Sequence, residues 1–203
     1  MLDVDVITDP IAAASALDPV RSRLLAELAE PASAANLAAR VGISRQKVNY
    51  HLRALEAHQL VIPAGERRWG GLTEKLMVAT ASSYVVSPGA LGLAATDPGR
   101  SRDRLSAGYL IAVAARTVRE VGEMWRRARA ADKRLATLTM DTAIRFRSAS
   151  DRAAFTEELT GAVTDLVSRY HDESDPHGRP YRLVLTAYPM PNDIPNDKPN
   201  DKE

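Results

Sequence analysis

The sequence predicts an α+β chain in two parts, and three observations carry that prediction. From Asp9 to about Ala57, apolar residues recur at helical spacing in four short segments, each opened by Asp or Ser. From Leu60 to Val86, two extended runs flank a glycine-rich, basic loop. Beyond a stretch with two prolines and three glycines, a long helical pattern is followed by an alternating run, a second helical pattern and a second alternating run. The expected boundaries are 1–88 for the first domain, 89–102 for a linker, 103–190 for a C-terminal region that dimerises and could sense a signal, and 191–203 for a disordered tail.

Each element has a local cause. Asp9-Pro10 and Asp18-Pro19 pair a capping side chain with a proline suited to the first helical turn. In the second helix Val20, Leu24, Leu25 and Leu28 form one stripe, and Pro31 ends it. Ser33 caps a helix through about Arg40, Gly42 supplies a turn, and Ser44 caps the next helix from Arg45 to about Ala57. Leu60 to Pro63 and Leu72 to Val86 read as a hairpin whose tip is Ala64 to Gly71. From Asp103 to about Ala130, Ile111, Ala114, Val118, Val121, Trp125 and Ala128 recur as a seam for a partner helix, while Arg116, Arg119, Glu123 and Arg126 lie largely off it. A helix packed on its own domain fits as well, because Tyr109, Leu110 and Val113 are also apolar.

Residues 135 to 147 alternate, with Ala136, Leu138, Met140, Ile144 and Phe146 on one face and Thr137, Thr139, Asp141 and Arg145 on the other, as in a half-buried strand. Asp151 to His171 is an amphipathic helix with Phe155, Leu159, Ala162, Leu166 and Tyr170 inward, and Tyr181 to Tyr188 is a second strand. The order allows a parallel crossover. Two strands cannot cover both sheet edges, so the helix from 103 and a second subunit are expected to complete the region. The tail repeats Pro-Asn-Asp at 191, 195 and 199.

Composition excludes several chemistries. The chain has no cysteine, so disulfides, thiolate metal sites and cysteine nucleophiles are absent. His51, His58, His171 and His177 are not spaced as a metal pair, so no metal or cofactor is expected. No Gly-rich phosphate loop, nucleophile elbow or His-Glu-x-x-His motif occurs, and Asp141, Asp151 and Glu157 read as surface charges; an enzyme is not expected. There is no apolar run of about 18 residues, and the first ten residues carry three aspartates where a secretory signal would be basic, so a cytoplasmic, membrane-free protein is expected.

The net charge of +1 conceals a local excess: Arg40 to Lys75 holds seven basic residues (Arg40, Arg45, Lys47, Arg53, Arg67, Arg68, Lys75) against Glu56, Glu66 and Glu74. A polyanion would feel that excess, although an ordinary solvated face accounts for it too. The decisive pattern lies inside it. Ala38 is small where two helices cross, Gly42 follows four positions on, and β-branched Val48 six further, the spacing of a helix-turn-helix. On the second helix Val48, Leu52 and Leu55 define the buried side, with His51 packed toward it. Gln46, Asn49, Tyr50 and Arg53 fall on or near the opposite side. Gln46 and Asn49 can pair with adenine and Arg53 with a guanine edge or a phosphate, while Ser44, Arg45 and Lys47 flank that face. Arg67 and Arg68 suit the adjacent backbone or minor groove. The first part is therefore expected to be a winged helix-turn-helix that binds double-stranded DNA.

Asp18-Pro19-Val20-Arg21, Asn36 through Ser44, Val48 through Glu56 and Leu60-Val61 together resemble the ArsR-type winged helix repressors over roughly residues 9 to 86. The resemblance implies a homodimer on a partly palindromic operator that is released on sensing a signal. The cysteines of metal-sensing members are absent and a C-terminal region is added, so the sensing mode does not carry over: that region either binds a small-molecule effector or only holds two subunits together. A winged helix used only for protein interaction is the competing reading. Its docking face should be more apolar than this one.

Overall fold

In the computed structural model, each described α-helix opens on an Asp or Ser whose side chain accepts a backbone N–H. The structure describes residues 1–69 and 72–191, and the chain divides into two compact units, Met1–Leu135 and Ala136–Glu203. In the first unit, Asp9 caps α1 (Pro10–Leu17) through Ala12 N at 2.7 Å. Asp18 caps α2 (Pro19–Glu27) through Val20 N and Arg21 N at 3.0 Å each. Ser33 caps α3 (Ala34–Val41) and Ser44 caps α4 (Arg45–Ala57), each at 3.3 Å. These bonds satisfy N–H groups that a helix start otherwise leaves without a partner.

The helices enclose one core. Leu24, Leu28, Leu37, Val48 and Leu55 are fully buried, and Val61 joins them from the sheet. Burying each such side chain contributes about 1.5–3 kcal/mol, enough for these few residues to fix how α2, α3 and α4 cross.

The strands depart from the sequence reading in three ways. β3 runs Val61–Trp69 and β4 Leu72–Ala79, so residues 64–69, expected in a loop, are paired strand; Gly70 and Gly71 lie outside the described residues. The register shifts between Pro63 and Gly65, and Gly65 takes φ 111°, a bulge that lets the ladder pass a proline without an N–H. The short β2 (Ala32–Ser33) pairs with the far side of β4. The expected run 72–86 also breaks: β5 (Tyr84–Val86) leaves the hairpin and pairs in parallel with β1 (Asp5–Ile7).

Two short 3-10 turns, Pro88–Ala94 and Pro98–Arg100, lead to α5 (Ala107–Ala130), capped by Ser106. This helix packs within the first unit, although the sequence reading groups it with residues 103–190. Its inner face buries Ala112, Val113, Ala115 and Gly122. A Cβ on Gly122 would stand 2.8 Å from Val6 Cγ1, so glycine is what lets the helix approach β1. Arg126 hydrogen-bonds Thr8 and Glu123, and the aliphatic part of Arg119 lies over Gly89.

The second unit contains α6 (Ala149–Tyr170), capped by Ser148. Neither 135–147 nor 181–188 joins a ladder among the described residues, so the two expected strands are not paired. Phe146 meets Phe155 at 5.3 Å between ring centroids, yet no described residue from 136 to 191 is buried. Alternation along a strand records which side chains share a face. A ladder needs a partner backbone, and these segments supply none to each other.

Candidate nucleic-acid interface

The α3–Gly42–α4 turn decides what the first unit can touch. Gly42 adopts φ 74° and its N–H bonds Ala38 O at 3.0 Å, closing α3 in the left-handed conformation that glycine tolerates best. Ser44 then starts α4 immediately. Arg23 secures the same corner by donating from Nη2 to Val41 O at 3.1 Å. That contact was not singled out from the sequence, because it joins residues 18 positions apart.

With Val48, Leu52 and Leu55 buried, α4 turns Arg45, Gln46, Lys47, Asn49, Tyr50 and Arg53 outward, all of them exposed. Tyr50 is 68% exposed, so its ring is available to a partner and not part of the core. Ser44 is exposed as well, with its Oγ engaged by Lys47 N. His51 is half-buried beside Tyr50, at 5.3 Å between rings, and its buried Nδ1 has no hydrogen-bond partner among the described residues.

The hairpin is fixed against α4 at its base. Tyr84 Oη donates to Leu60 O at 2.8 Å and accepts from Ala81 N at 3.2 Å, while Lys75 Nζ meets Glu56 Oε1 at 2.9 Å across β4 and α4. Gln59, at φ 57°, makes the turn between α4 and β3. Arg67 and Arg68 are both exposed but differ in circumstance. Arg67 is paired with Glu74 on the facing strand at 3.3 Å, whereas Arg68 sits opposite Thr73.

Ion pairs thus sort the basic residues of this region. Arg40, Arg67 and Lys75 meet Glu27, Glu74 and Glu56. Among the described residues Arg45, Lys47, Arg53 and Arg68 enter no ion pair and are exposed, so they remain for an external polyanion. The sequence counts these charges but does not show which are already neutralised.

A protein-family model described as a helix-turn-helix domain matches residues 16–63, the segment from the end of α1 to the start of β3. Residues 16–63 are a helix-turn-helix domain. The paired β3 and β4 that follow this domain give the mixed architecture of a winged helix, and the match supports a DNA-binding regulator. The crystal structure of NolR from Sinorhizobium fredii is similar at 26% identity with a TM-score of 0.28, over 34% of this chain and 65% of that one. No curated protein matches the chain. Among the described residues no helix is long and apolar enough to cross a membrane, and no cluster of His, Cys, Asp or Glu could hold a metal ion.

Proposed function

We propose that the chain is a sequence-specific transcription regulator of the ArsR type, acting as a homodimeric repressor on double-stranded DNA. The observation that carries this reading is the polar outer face of α4 in the helix-turn-helix domain, where Arg45, Lys47 and Arg53 are exposed and enter no ion pair among the described residues. Inserted in a major groove, α4 would present Gln46 and Asn49 to adenine and Arg53 to guanine, with Ser44, Arg45 and Lys47 against phosphates and Tyr50 at the groove edge. Arg68 in the wing would reach the neighbouring backbone, with Arg67 contributing less because Glu74 already holds it. The outer face lacks the apolar centre that a protein-docking surface would need.

Two copies are needed for two half-sites about 34 Å apart. The stripe Ile111, Ala114, Val118, Val121, Trp125 supports α5 as the joining element: the first, second and fourth are exposed and the others half-buried. The helix packs on its own unit through a different face, that of Ala112, Ala115 and Gly122.

Selection from randomised duplexes at low salt tests the reading. A specific site should emerge, Arg53→Ala should weaken that site by about 1–3 kcal/mol, and Arg68→Ala should weaken every duplex alike and reduce the salt slope by about one. Absence of enrichment for any duplex sinks the proposal.

A further inference from the structure

Among the described residues, the contact of Phe146 with Phe155 covers one end of the second unit's apolar face and leaves the rest open. Leu138 is 90% exposed and Met140 85%, and the backbone from 136 to 146 joins no ladder among the described residues. Asp141 and Arg145 on the other face are exposed and enter no ion pair among the described residues, while Arg147 is engaged by Asp151 at 3.1 Å.

We propose that residues 139–147 of two copies of this chain pair as an antiparallel ribbon about a two-fold axis at Ala143, with Asp141 of each facing Arg145 of the partner subunit. Two constraints select this arrangement. The first is the side-chain period of two: only registers whose axis passes through a residue keep Met140, Ile144 and Phe146 on one face with their counterparts, since a one-residue slip reverses the faces. The second is charge. An axis at Asp141 or at Arg145 sets like charges opposite one another, and parallel in-register pairing does so at both positions. An axis at Thr142 leaves both charges opposite uncharged residues. An axis at Ile144 draws on Arg147, which already serves Asp151, and pulls Ser148 away from capping α6. The axis at Ala143 sets Asp141 against Arg145 twice, Met140 against Phe146 and Thr142 against Ile144.

The inference rests on the homodimer in the proposed function, and the absence of native cysteine makes the test clean. Directly opposed residues of an antiparallel pair lie about 4.5–5.5 Å apart between Cα atoms, within disulfide reach. Ala143→Cys should therefore oxidise to a covalent dimer at micromolar concentration. Thr139→Cys and Ile144→Cys should not, because their symmetry mates stand beyond about 7 Å. Asp141→Arg and Arg145→Asp should each slow crosslinking of the Ala143→Cys chain roughly threefold or more, and the two together should restore it. A wild type that sediments as a monomer sinks the homodimer and this pairing together. A wild-type dimer whose Ala143→Cys form crosslinks no faster than Thr139→Cys overturns the ribbon alone, as does a charge swap that fails to restore the rate.

Discussion

The two units carry the same kind of apolar patterning and treat it in opposite ways. In the first, Leu24, Leu37 and Leu55 lie on helical stripes and are fully buried. In the second, Phe155, Leu159, Leu166 and Tyr170 form as regular a stripe on α6, and none of them is buried. Periodicity states which face must be covered, and among the described residues the first unit buries its stripes while the second leaves its own largely exposed. The difference follows from connectivity: short turns at Gly42 and Gln59 bring α3, α4 and β3 back onto one another, whereas α6 is flanked by segments that join no ladder among the described residues.

The sharpest way to break this comparison is to truncate one side chain in each unit. Leu24→Ala should destabilise the first unit by about 2–5 kcal/mol, through lost transfer energy and the cavity left behind. Leu138→Ala should change the thermal midpoint of the dilute protein hardly at all, because an exposed side chain loses no packing. Calorimetry on both variants decides the matter, and equal effects would mean that the second unit has an internal core after all.

A narrower contrast lies within α5, whose two faces serve different ends. Gly122→Val should force β1 and the helix apart and cost about 1–3 kcal/mol by overpacking. Val121→Glu, one position away and 37% exposed, should leave the protomer folded while separating the proposed dimer. Light scattering and circular dichroism on the two variants distinguish the outcomes. A dimeric Val121→Glu protein would remove α5 from the interface.

Much of the first unit was legible because its determinants are local. Asp9, Asp18, Ser33 and Ser44 cap helices within three residues of themselves, and the Ala38–Gly42–Val48 spacing follows from one tight turn. The outward face of α4 was readable for the same reason. What escaped depends on distant pairing: three-residue β1 finds β5 nearly eighty positions later, and Glu74, Glu56 and Glu27 neutralise part of the basic excess from other elements. The strand through 64–69 was hidden by Gly65 and by polar residues that suit an exposed ribbon as well as a loop. In the second unit the alternation at 135–147 was visible but its partner was not, since no period within one chain encodes a ladder.

The smallest expected effect separates the units by acid. Asp18 is held below its ordinary pKa of 3.8, first by the Arg21 N–H it accepts, against an opposing desolvation, and further by the Arg21 guanidinium, the Val20 N–H and His51. Because the folded carboxyl is the stronger acid, its contribution is fully present above the unfolded pKa and is lost as pH falls through the lower folded value. Asp18→Ala should therefore cost about 1 kcal/mol near pH 7, as loss of a helix cap does. The gap between wild type and Asp18→Asn, which keeps an acceptor but no charge, should begin to narrow as pH falls below about 4. Asp172 in the second unit is lowered too, first by the Ser174 hydroxyl and then by its N–H, but it is fully exposed. Asp172→Asn should leave the melting curve unchanged at either pH. Denaturant titrations of the three variants at pH 7 and pH 3 test this: an Asp18→Asn gap that persists undiminished at pH 3 would show that the charge on Asp18 is not what holds the start of α2.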